Sequence, residues 1–274
     1  MPMKLPNFLK SLLVGAGSAA VLLLVLSAHR HWQPRAGAPA TATRPKLDVP
    51  YVATLDEVVE RMLAVAEVGP ADHVVDLGCG DGRILIAAAR TRGASGYGVD
   101  LDPRRIREAE GSARRAGVGA RIRFEVGDLF KAPIADASVV AIYLLPEINL
   151  RLRPRLLAEL RPGTRIVSHA FDMGDWHPDR TAAVEGARIF LWIVPARVAG
   201  RWTLTDETGR RTAVTLAQRY QAVSGSVRRA RLVGDRFAFT ADIGGRPRSF
   251  VGRVAGAHIE PLDLRADWRM ERSG

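Results

Sequence analysis

The feature that most constrains this chain is a glycine loop that follows an apolar run. The run Val74–Leu77 has the composition of a buried strand and carries one acid, Asp76. Three alternate glycines come next, from Gly78 to Gly82, and a helical pattern follows them. Glycine lets the backbone turn sharply and approach a ligand closely, and the N–H groups that open the helix point into the same crevice. The loop therefore predicts a nucleotide-type pocket at the carboxyl end of a first strand.

The spacing of the glycines and the position of the acid separate two classes of nucleotide. Dinucleotide-binding folds carry G-x-G-x-x-G, which receives a pyrophosphate. Here the spacing is G-x-G-x-G, and Asp76 lies two residues before the first glycine. A carboxylate at that place would repel a pyrophosphate, but it suits the ammonium and sulfonium groups of S-adenosylmethionine. The sequence therefore predicts S-adenosylmethionine as the cofactor, and an NAD-dependent oxidoreductase is the least favoured enzyme.

Two more acids end the next predicted strands. Asp100 lies 22 residues past the first glycine, where a carboxylate can accept hydrogen bonds from both hydroxyls of a ribose. Asp128 follows a third strand and is placed for the adenine amino group. Acids at three successive strand ends resemble the class I S-adenosylmethionine-dependent methyltransferases. The cofactor-binding set that this resemblance implies is Tyr51, Thr54, Asp76, Gly78, Cys79, Gly80, Asp100, Leu101, Asp128 and Leu129.

Strand and helix patterns alternate through about residue 180, which predicts a mostly parallel sheet with helices on both faces. A strong strand at Ile189–Val194 completes this sheet, and short β-type stretches separated by glycine turns follow it. We expect an α/β, Rossmann-like class I methyltransferase sheet, a small antiparallel β unit after it (a meander or partial barrel), and an N-terminal hydrophobic helix. The predicted regions are a hydrophobic anchor or signal at 1–28, a Pro/Ala-rich linker at 29–49, the methyltransferase domain at 50–198 and the β-rich unit with a loose tail at 199–274.

Three local patterns carry finer expectations. Thr54 and Glu57 have the spacing of a capping box at the start of a helix. Pro154 interrupts the helical pattern Ile148–Leu160 and predicts a kink or a delayed start there. The tail from about Arg265 is expected to be loosely held.

The N-terminal region carries a membrane signal. Residues 1–47 contain no acid, and the apolar run Leu12–Ala28 reaches the short limit of a membrane span, about 17 residues. A cleaved secretory signal has a similar layout. An uncleaved anchor with a cytoplasmic body is favoured, because the cofactor is made inside the cell and the basic residues after the run slightly outweigh those before it. Export after cleavage and import into an organelle stay open.

The net charge and the cysteine content limit the kinds of binding partner and site that the chain can have. The net charge of +11 suggests an acidic partner, an anionic membrane face or nucleic acid. No RNA motif, zinc spacing or recognition-helix signature accompanies it, so nucleic acid is disfavoured. Cys79 is the single cysteine, which excludes an internal disulfide framework and a multi-cysteine metal site, and no metal is expected. The arginines of the β-rich region form either a solvated face or a basic surface for an acidic partner or anionic lipid.

Three segments resemble one particular group within the class I methyltransferases. Pro50–Thr54, the Asp76–Ile84 loop and Tyr143–Pro146 together are similar to the mitochondrial lysine methyltransferases of the ATP synthase c subunit and the adenine nucleotide carrier, and to their bacterial relatives. This similarity covers about residues 50–180 and implies a protein lysine as acceptor. Ala53 stands where that group has proline, and the β-rich region lies outside its pattern.

The methyl acceptor is expected beside the end of the fourth strand. By the resemblance, Tyr51 and Thr54 close over the methionine end of the cofactor. The loop His169–Trp176 after the fifth strand faces the same crevice, and its aromatic and acidic side chains can hold an amine. No general base is assigned. The acceptor-site candidates are Tyr143, Pro146, Glu147, Asn149, Asp172 and Trp176.

The sequence therefore predicts a membrane-associated methyltransferase, held to the membrane by residues 12–28, with a protein lysine as the favoured acceptor. One alternative is a small-molecule or lipid/quinone methyltransferase. A second alternative is a non-catalytic binding module that uses the nucleotide fold for contact.

Overall fold

The computed structural model describes residues 53–273, which build two sheets of different kinds. One is a mixed seven-stranded sheet with helices, and the other is an antiparallel eight-stranded sheet. The predicted N-terminal hydrophobic helix, the linker and Tyr51 lie outside the described residues. Within residues 53–273, no helix has the length and apolar character needed to span a bilayer.

The α/β part is predicted correctly in its main features. Its strands follow the order β3-β2-β1-β4-β5-β7-β6, in which β1 to β5 are parallel and β7 is antiparallel to both of its neighbours. The elements are α1 (Asp56–Val65), β1 (His73–Leu77), α2 (Arg83–Arg92), β2 (Ser95–Asp100), α3 (Pro103–Arg115), a short 3₁₀ turn (Gly119–Arg121), β3 (Ile122–Val126), β4 (Val139–Ile142), α4 (Pro146–Glu159), β5 (Arg165–His169), β6 (Arg180–Val184) and β7 (Ala187–Ile193).

Helices cover both faces of this sheet. On one face, Met62 of α1 and Leu85 of α2 pack in one cluster with Val74 of β1. On the other face, Leu152 of α4 packs in a cluster with Val140 of β4. Because central strands in such a sheet are buried on both sides, they read as continuous apolar runs, and the polar side chains gather at the strand ends.

The second sheet is the barrel, residues 200–272. Its order is β10-β9-β8-β15-β14-β13-β12-β11, with every pairing antiparallel. The edge strands β10 and β11 are separated in the chain by Ser226 alone, so the two edges of the sheet meet there and close it. Trp202, Phe237 and Met270 are among the side chains of its apolar interior. The strands are β8 (Gly200–Thr205), β9 (Arg211–Arg219), β10 (Ala222–Gly225), β11 (Val227–Val233), β12 (Arg236–Ile243), β13 (Arg246–Ala255), β14 (His258–Pro261) and β15 (Arg269–Arg272).

The expectation of a loose tail is wrong. Residues Arg269–Arg272 form β15, which pairs with β8 on one side and β14 on the other. Met270 is fully buried in the barrel, and Trp268 just before it is buried as well. A four-residue strand with one inward side chain offers too little alternation to be recognised in the sequence.

Two expectations about helix starts are also wrong. Of the two outcomes expected at Pro154, a kink or a delayed start, the delayed start is wrong, because helix α4 begins at Pro146 and continues through Pro154. Pro146 suits the first turn, where a missing N–H leaves no hydrogen bond unmade. Helix α1 has Leu55 as its N-cap and no side-chain cap. The hydroxyl of Thr54 lies instead 3.3 Å from Nδ1 of His169.

The arginines of the barrel occupy its outer surface, and acids neutralise part of their charge. Arg253 pairs with Asp235 at 3.1 Å, and Arg248 pairs with Glu207 at 2.6 Å. The solvated face and the basic docking surface both stay open as interpretations.

Candidate active site

The glycine loop forms a sharp turn between β1 and α2. Gly78 and Gly82 adopt φ values of +84° and +78°, a region that favours glycine. A Cβ at Gly82 would also lie 2.7 Å from the ring of Phe124. The backbone N–H groups of Gly78 and Cys79 both donate to the carbonyl of Val99, which holds the loop against β2. Conformation and packing therefore require glycine at these turns.

The three predicted acids meet at one edge of the sheet. Asp76, Asp100 and Asp128 lie at the carboxyl ends of the adjacent strands β1, β2 and β3, as the sequence predicts. The carboxylate of Asp100 accepts the N–H of Gly80 at 2.9 Å, and so braces the glycine loop. The N–H of Gly127 donates to the carbonyl of Asp100, which brings the ends of β2 and β3 together.

Asp76 is the most unusual of these acids. It is 2% exposed, and its Oδ2 finds no hydrogen-bond partner among residues 53–273. Burial, together with the nearby charges of Asp100 and Asp81, raises the pKa of its carboxyl to about 8. A ligand that brings a positive charge would relieve both effects. The ammonium group of S-adenosylmethionine fits this requirement.

Cys79 and the two predicted leucines have ordinary surroundings. The Cys79 side chain packs in the core beneath α2, and burial together with Asp76 and Asp100 raises the pKa of its thiol well above the usual value. Such a thiol is a poor nucleophile. Leu101 is half-buried beside Asp100, and Leu129 is half-buried against the core on the α4 face.

Three aromatic rings form a wall at the ends of β4 and β5. The ring of Tyr143 stacks on His169 with centroids 3.9 Å apart, and on Phe171 at 6.4 Å. Burial lowers the pKa of His169 to about 4, so this ring is neutral at pH 7. Tyr143 is half-buried, and desolvation raises the pKa of its phenol. We call Tyr143, His169 and Phe171 the aromatic wall.

Thr54 lies between the aromatic wall and the glycine loop. Its hydroxyl contacts His169, and its carbonyl accepts a hydrogen bond from Arg83 at 2.6 Å. Arg83 is paired in turn with Asp81 of the glycine loop at 2.6 Å. The segment that leads into α1 is therefore tied both to the aromatic wall and to the glycine loop.

The remaining acceptor candidates separate into two groups. Pro146 and Glu147 are exposed at the start of α4, and Asp172 is exposed in the loop after β5. Asn149 is buried and donates to the carbonyls of Phe171 (3.4 Å) and Asp172 (3.3 Å).

Trp176 does not line the crevice. It is fully buried, and its indole N–H donates to Gln221 of the barrel at 2.9 Å. Its carbonyl accepts the indole N–H of Trp192 at 2.7 Å. The sequence pattern placed it correctly in the loop after β5, but an aromatic residue there serves the core as readily as the pocket.

Sequence reasoning missed the part that Arg83 plays. The sequence showed only that an arginine follows the last glycine of the loop, two residues after Asp81. Its hydrogen bond to Thr54 joins residues 29 positions apart, and no local pattern announces such a contact.

Comparison with known proteins places this site in a family. Residues 76–180 match the family model described as the ANTKMT methyltransferase domain. The chain is 42% identical over 151 residues to a protein of Saccharolobus islandicus (strain REY15A) named Protein-lysine N-methyltransferase. That match covers 53% of this chain and 94% of the relative. The chain belongs to the S-adenosylmethionine-dependent methyltransferases of the ANTKMT domain family.

Two further similarities support this methyltransferase assignment. The chain is 36% identical over 133 residues to the adenine nucleotide translocase lysine N-methyltransferase of Mus musculus, covering 48% of this chain and 58% of that protein. It therefore spans a little over half the length of the mouse relative. A crystal structure of an RNA methyltransferase from Salinibacter ruber in complex with S-adenosyl-L-homocysteine is 50% identical, with a TM-score of 0.53, over 54% of this chain and 96% of that chain. The predicted family, enzyme class and cofactor are confirmed.

Proposed function

We propose that this methyltransferase transfers a methyl group from S-adenosylmethionine to the side-chain nitrogen of a protein lysine. The observation that carries the proposal is the similarity to the archaeal relative named a protein-lysine N-methyltransferase, because it spans nearly the whole of that protein. The aromatic wall supports the same acceptor, since ring faces attract an alkylammonium group.

The acids and the glycine loop hold the cofactor. When bound, S-adenosylmethionine supplies an electrophilic methyl group on a positively charged sulfur. Asp76 would offer its unpartnered carboxylate oxygen to the ammonium group, Asp100 would hold the ribose hydroxyls, and Asp128 would hold the adenine edge. The glycines of the loop let the backbone lie close to the ligand. Positioning is the main contribution of these residues to the rate.

The aromatic wall prepares the acceptor. A lysine must lose a proton before its lone pair can attack, and at pH 7 this costs about 4.6 kcal/mol from a reference pKa near 10.4. Loss of hydration beside the half-buried rings disfavours the charged ammonium and lowers this cost, and the attraction of the ring faces for the ammonium offsets part of that gain. A neutral His169 adds no positive charge that would repel the incoming group. The proton leaves to solvent at the exposed rim formed by Pro146 and Glu147.

RNA is the second candidate acceptor. The observation that favours it is the name of the Salinibacter ruber protein, an RNA methyltransferase. Aromatic rings also stack on nucleobases, so the wall suits both acceptors. The experiment must therefore offer protein and RNA side by side.

The membrane part of the proposal rests on the sequence. We infer a target at the membrane and a catalytic body on the cytoplasmic side because the apolar run Leu12–Ala28 precedes the enzyme and the cofactor is made inside the cell. A lipid or quinone acceptor would suit the same location, so membrane lipids belong in the test.

Methyl-labelled S-adenosylmethionine and the purified full chain should be incubated with membrane proteins, soluble proteins, RNA and lipids from cells that lack this enzyme. The expected result is label in a membrane polypeptide, at a lysine identified by mass spectrometry, and no label with Asp100→Ala. Label confined to RNA would establish the second candidate instead. Label confined to lipid or quinone would overturn the protein-substrate proposal.

A further inference from the structure

The turn between β9 and β10 reaches out of the barrel to the loop that follows β5. The ring of Tyr220 stacks on Trp176 with centroids 5.7 Å apart. Its neighbour Gln221 accepts the indole N–H of Trp176 at 2.9 Å and donates to the carbonyl of His177 at 2.8 Å. We call residues 219–221 the hairpin tip and residues 170–179 the post-β5 loop.

A second set of contacts converges on one carboxylate in the post-β5 loop. Asp175 pairs with Arg219 of the hairpin tip and with Arg153 of α4, and the hydroxyl of Tyr220 lies 3.2 Å from each carboxylate oxygen. Arg153 also donates to the carbonyl of Met173 at 2.7 Å. Hydrogen bonds from Arg219 and Arg153 lower the pKa of Asp175 to about 2, so it is charged at every ordinary pH. Three elements are joined at this acid.

The backbone of the hairpin tip gives an independent sign of constraint. Tyr220 adopts φ +54°, a conformation that a bulky residue rarely takes. Two-residue hairpin turns normally use Gly, Asn or Asp at such positions. Strain of this kind persists where a side chain is needed at that place. Here the side chain that is kept is the one that stacks on Trp176.

The other end of the post-β5 loop builds the aromatic wall. The carbonyl of Phe171 accepts the Ser168 hydroxyl at 2.6 Å and the amide of Asn149 at 3.4 Å. Only three residues separate Phe171 from Asp175. A displacement of the held segment therefore acts directly on the wall.

We propose that the hairpin tip is a positioning device for the methyl acceptor. By holding Asp175, Trp176 and His177 it fixes the post-β5 loop, and with it the place of Phe171 in the aromatic wall. The acceptor role of this wall rests on the proposed function. The barrel thus acts on the acceptor side of the crevice, at the loop after β5, whereas the cofactor acids lie at the ends of β1 to β3, which β4 separates from β5 in the sheet order.

The test compares the full wild-type chain with Arg219→Ala/Tyr220→Gly. Glycine accepts the positive φ of the turn, so this variant removes the contacts and leaves the hairpin backbone unstrained. Arg211→Ala, an exposed arginine at the other end of β9, is the matched control. Three quantities are measured. They are the amide hydrogen exchange of residues 171–177, the calorimetric Kd for S-adenosylmethionine, and the concentration of acceptor that half-saturates methylation, with the cell fraction that the wild-type enzyme methylates used as acceptor.

The proposal expects faster exchange in residues 171–177 and an acceptor half-saturation raised about tenfold in the double variant. The Kd for the cofactor should stay within about twofold of the wild-type value, and the Arg211→Ala control should match the wild type in all three measurements. Arg219→Lys/Tyr220→Phe should restore part of the slow exchange and of the low half-saturating concentration. Unchanged exchange and half-saturation would overturn the proposal. So would a cofactor Kd that rises in parallel, because it would indicate general disruption. If the wild type labels no protein, the proposed function fails, and the exchange data alone decide the role of the hairpin tip.

Discussion

A carboxylate oxygen without a hydrogen-bond partner is costly to bury, and Asp76 carries that cost inside the cofactor crevice. Its pKa of about 8 lies above the ordinary value of 3.8, so the cofactor-free protein keeps this proton through neutral pH. A cationic ligand favours the charged form and therefore releases the proton on binding. Ligand affinity and pH are coupled through this one residue.

We expect the affinity for S-adenosylmethionine to rise as the pH increases from 6 to 8. The rise should approach about tenfold per unit at the lower end, because the deprotonated fraction of Asp76 grows by that factor below its pKa. Asp76→Asn should bind more weakly and lose this rise. The amino group of the cofactor itself titrates at about 7.7–8.0, and this effect is the same for the wild type and the variant. Calorimetry in two buffers of different ionisation enthalpy would count the released proton, and a wild type that releases none would contradict the assignment.

The same shift predicts an effect on stability without cofactor. Between pH 4 and 8 the unfolded chain has lost the Asp76 proton while the native protein retains it, so the native state binds more protons and its free energy of unfolding falls as the pH rises. Asp76→Asn removes this loss. Its free energy of unfolding in urea should exceed that of the wild type at pH 8, and the difference should shrink towards pH 4. An equal difference at both pH values would show that Asp76 does not titrate in this range.

The dependence of stability on pH has the opposite sign at His169. Its pKa of about 4 lies below the ordinary 6.5. The contribution of His169 to the free energy of unfolding is therefore complete above pH 6.5, and it is lost as the pH falls from 6.5 to about 4. His169→Phe keeps a ring beside Tyr143 but has no ring nitrogen for Thr54. This variant should lose less stability than the wild type between pH 6.5 and 4.5. His177→Phe, which replaces an exposed histidine, is the control.

At the scale of elements, a glycine can be required for two reasons: a positive φ angle, or a lack of space for a Cβ atom. Gly82 of the glycine loop and Gly117 allow the two reasons to be distinguished. Gly82 has φ +78°, and its Cβ would lie 2.7 Å from Phe124 and 2.9 Å from Ala109. Gly117, after α3, has φ +71° with nothing within 4 Å of its Cβ. Gly82→Ala meets the strain and the clash together, whereas Gly117→Ala meets the strain alone.

We therefore expect the two alanine variants to differ. Gly117→Ala should destabilise by about 1 kcal/mol and leave cofactor binding unchanged. Gly82→Ala should lose about a further 1–3 kcal/mol from overpacking and weaken cofactor binding at least about tenfold. Urea unfolding and calorimetry measure both quantities. Equal losses in the two variants would mean that Phe124 and Ala109 move aside freely, and the loop would then not depend on this packing.

The same scale shows why some elements were predictable and others were not. The strand Val139–Ile142 is buried on both faces and reads as an apolar run, and Asp100 marks a strand end by its position alone. These signals are local. Strand β15 was missed because only Met270 of its four residues points inward, and its place was fixed by partners far away in the chain.

The candidate site divides along the same line. Local spacing predicted the three acids and their common edge. It did not predict the contact of Thr54 with His169, which are 115 residues apart, or that Asp76 Oδ2 would be left without a partner. Trp176 was misassigned because the residue that receives its N–H, Gln221, belongs to the barrel. Contacts of this kind depend on how the two sheets pack.

At the scale of the whole molecule, the α/β sheet and the barrel have separate apolar cores joined by a mostly polar seam. Arg197 supplies part of the seam, because its guanidinium donates to the carbonyls of Leu157 and Ala158 in α4 while its own carbonyl accepts Arg272 of the barrel. The hairpin tip supplies a further part. Two cores can unfold separately when their connection is weak. Whether they do so here should depend on the contacts of Asp175 and Trp176 with the hairpin tip.

Calorimetric unfolding of the full chain tests this dependence. The proposed cofactor residues that the structure describes all lie in the α/β part, so saturation with S-adenosylmethionine at 100 times its Kd should stabilise that part by about 2.7 kcal/mol. With the hairpin tip intact, we expect one transition that moves upward as a whole. In Arg219→Ala/Tyr220→Gly we expect two transitions, of which only one responds to the cofactor, because the barrel no longer shares the stabilisation. A single transition that shifts undivided in the double variant would place the coupling in the remaining seam contacts instead, such as those of Arg197 with the carbonyls of Leu157 and Ala158 in α4.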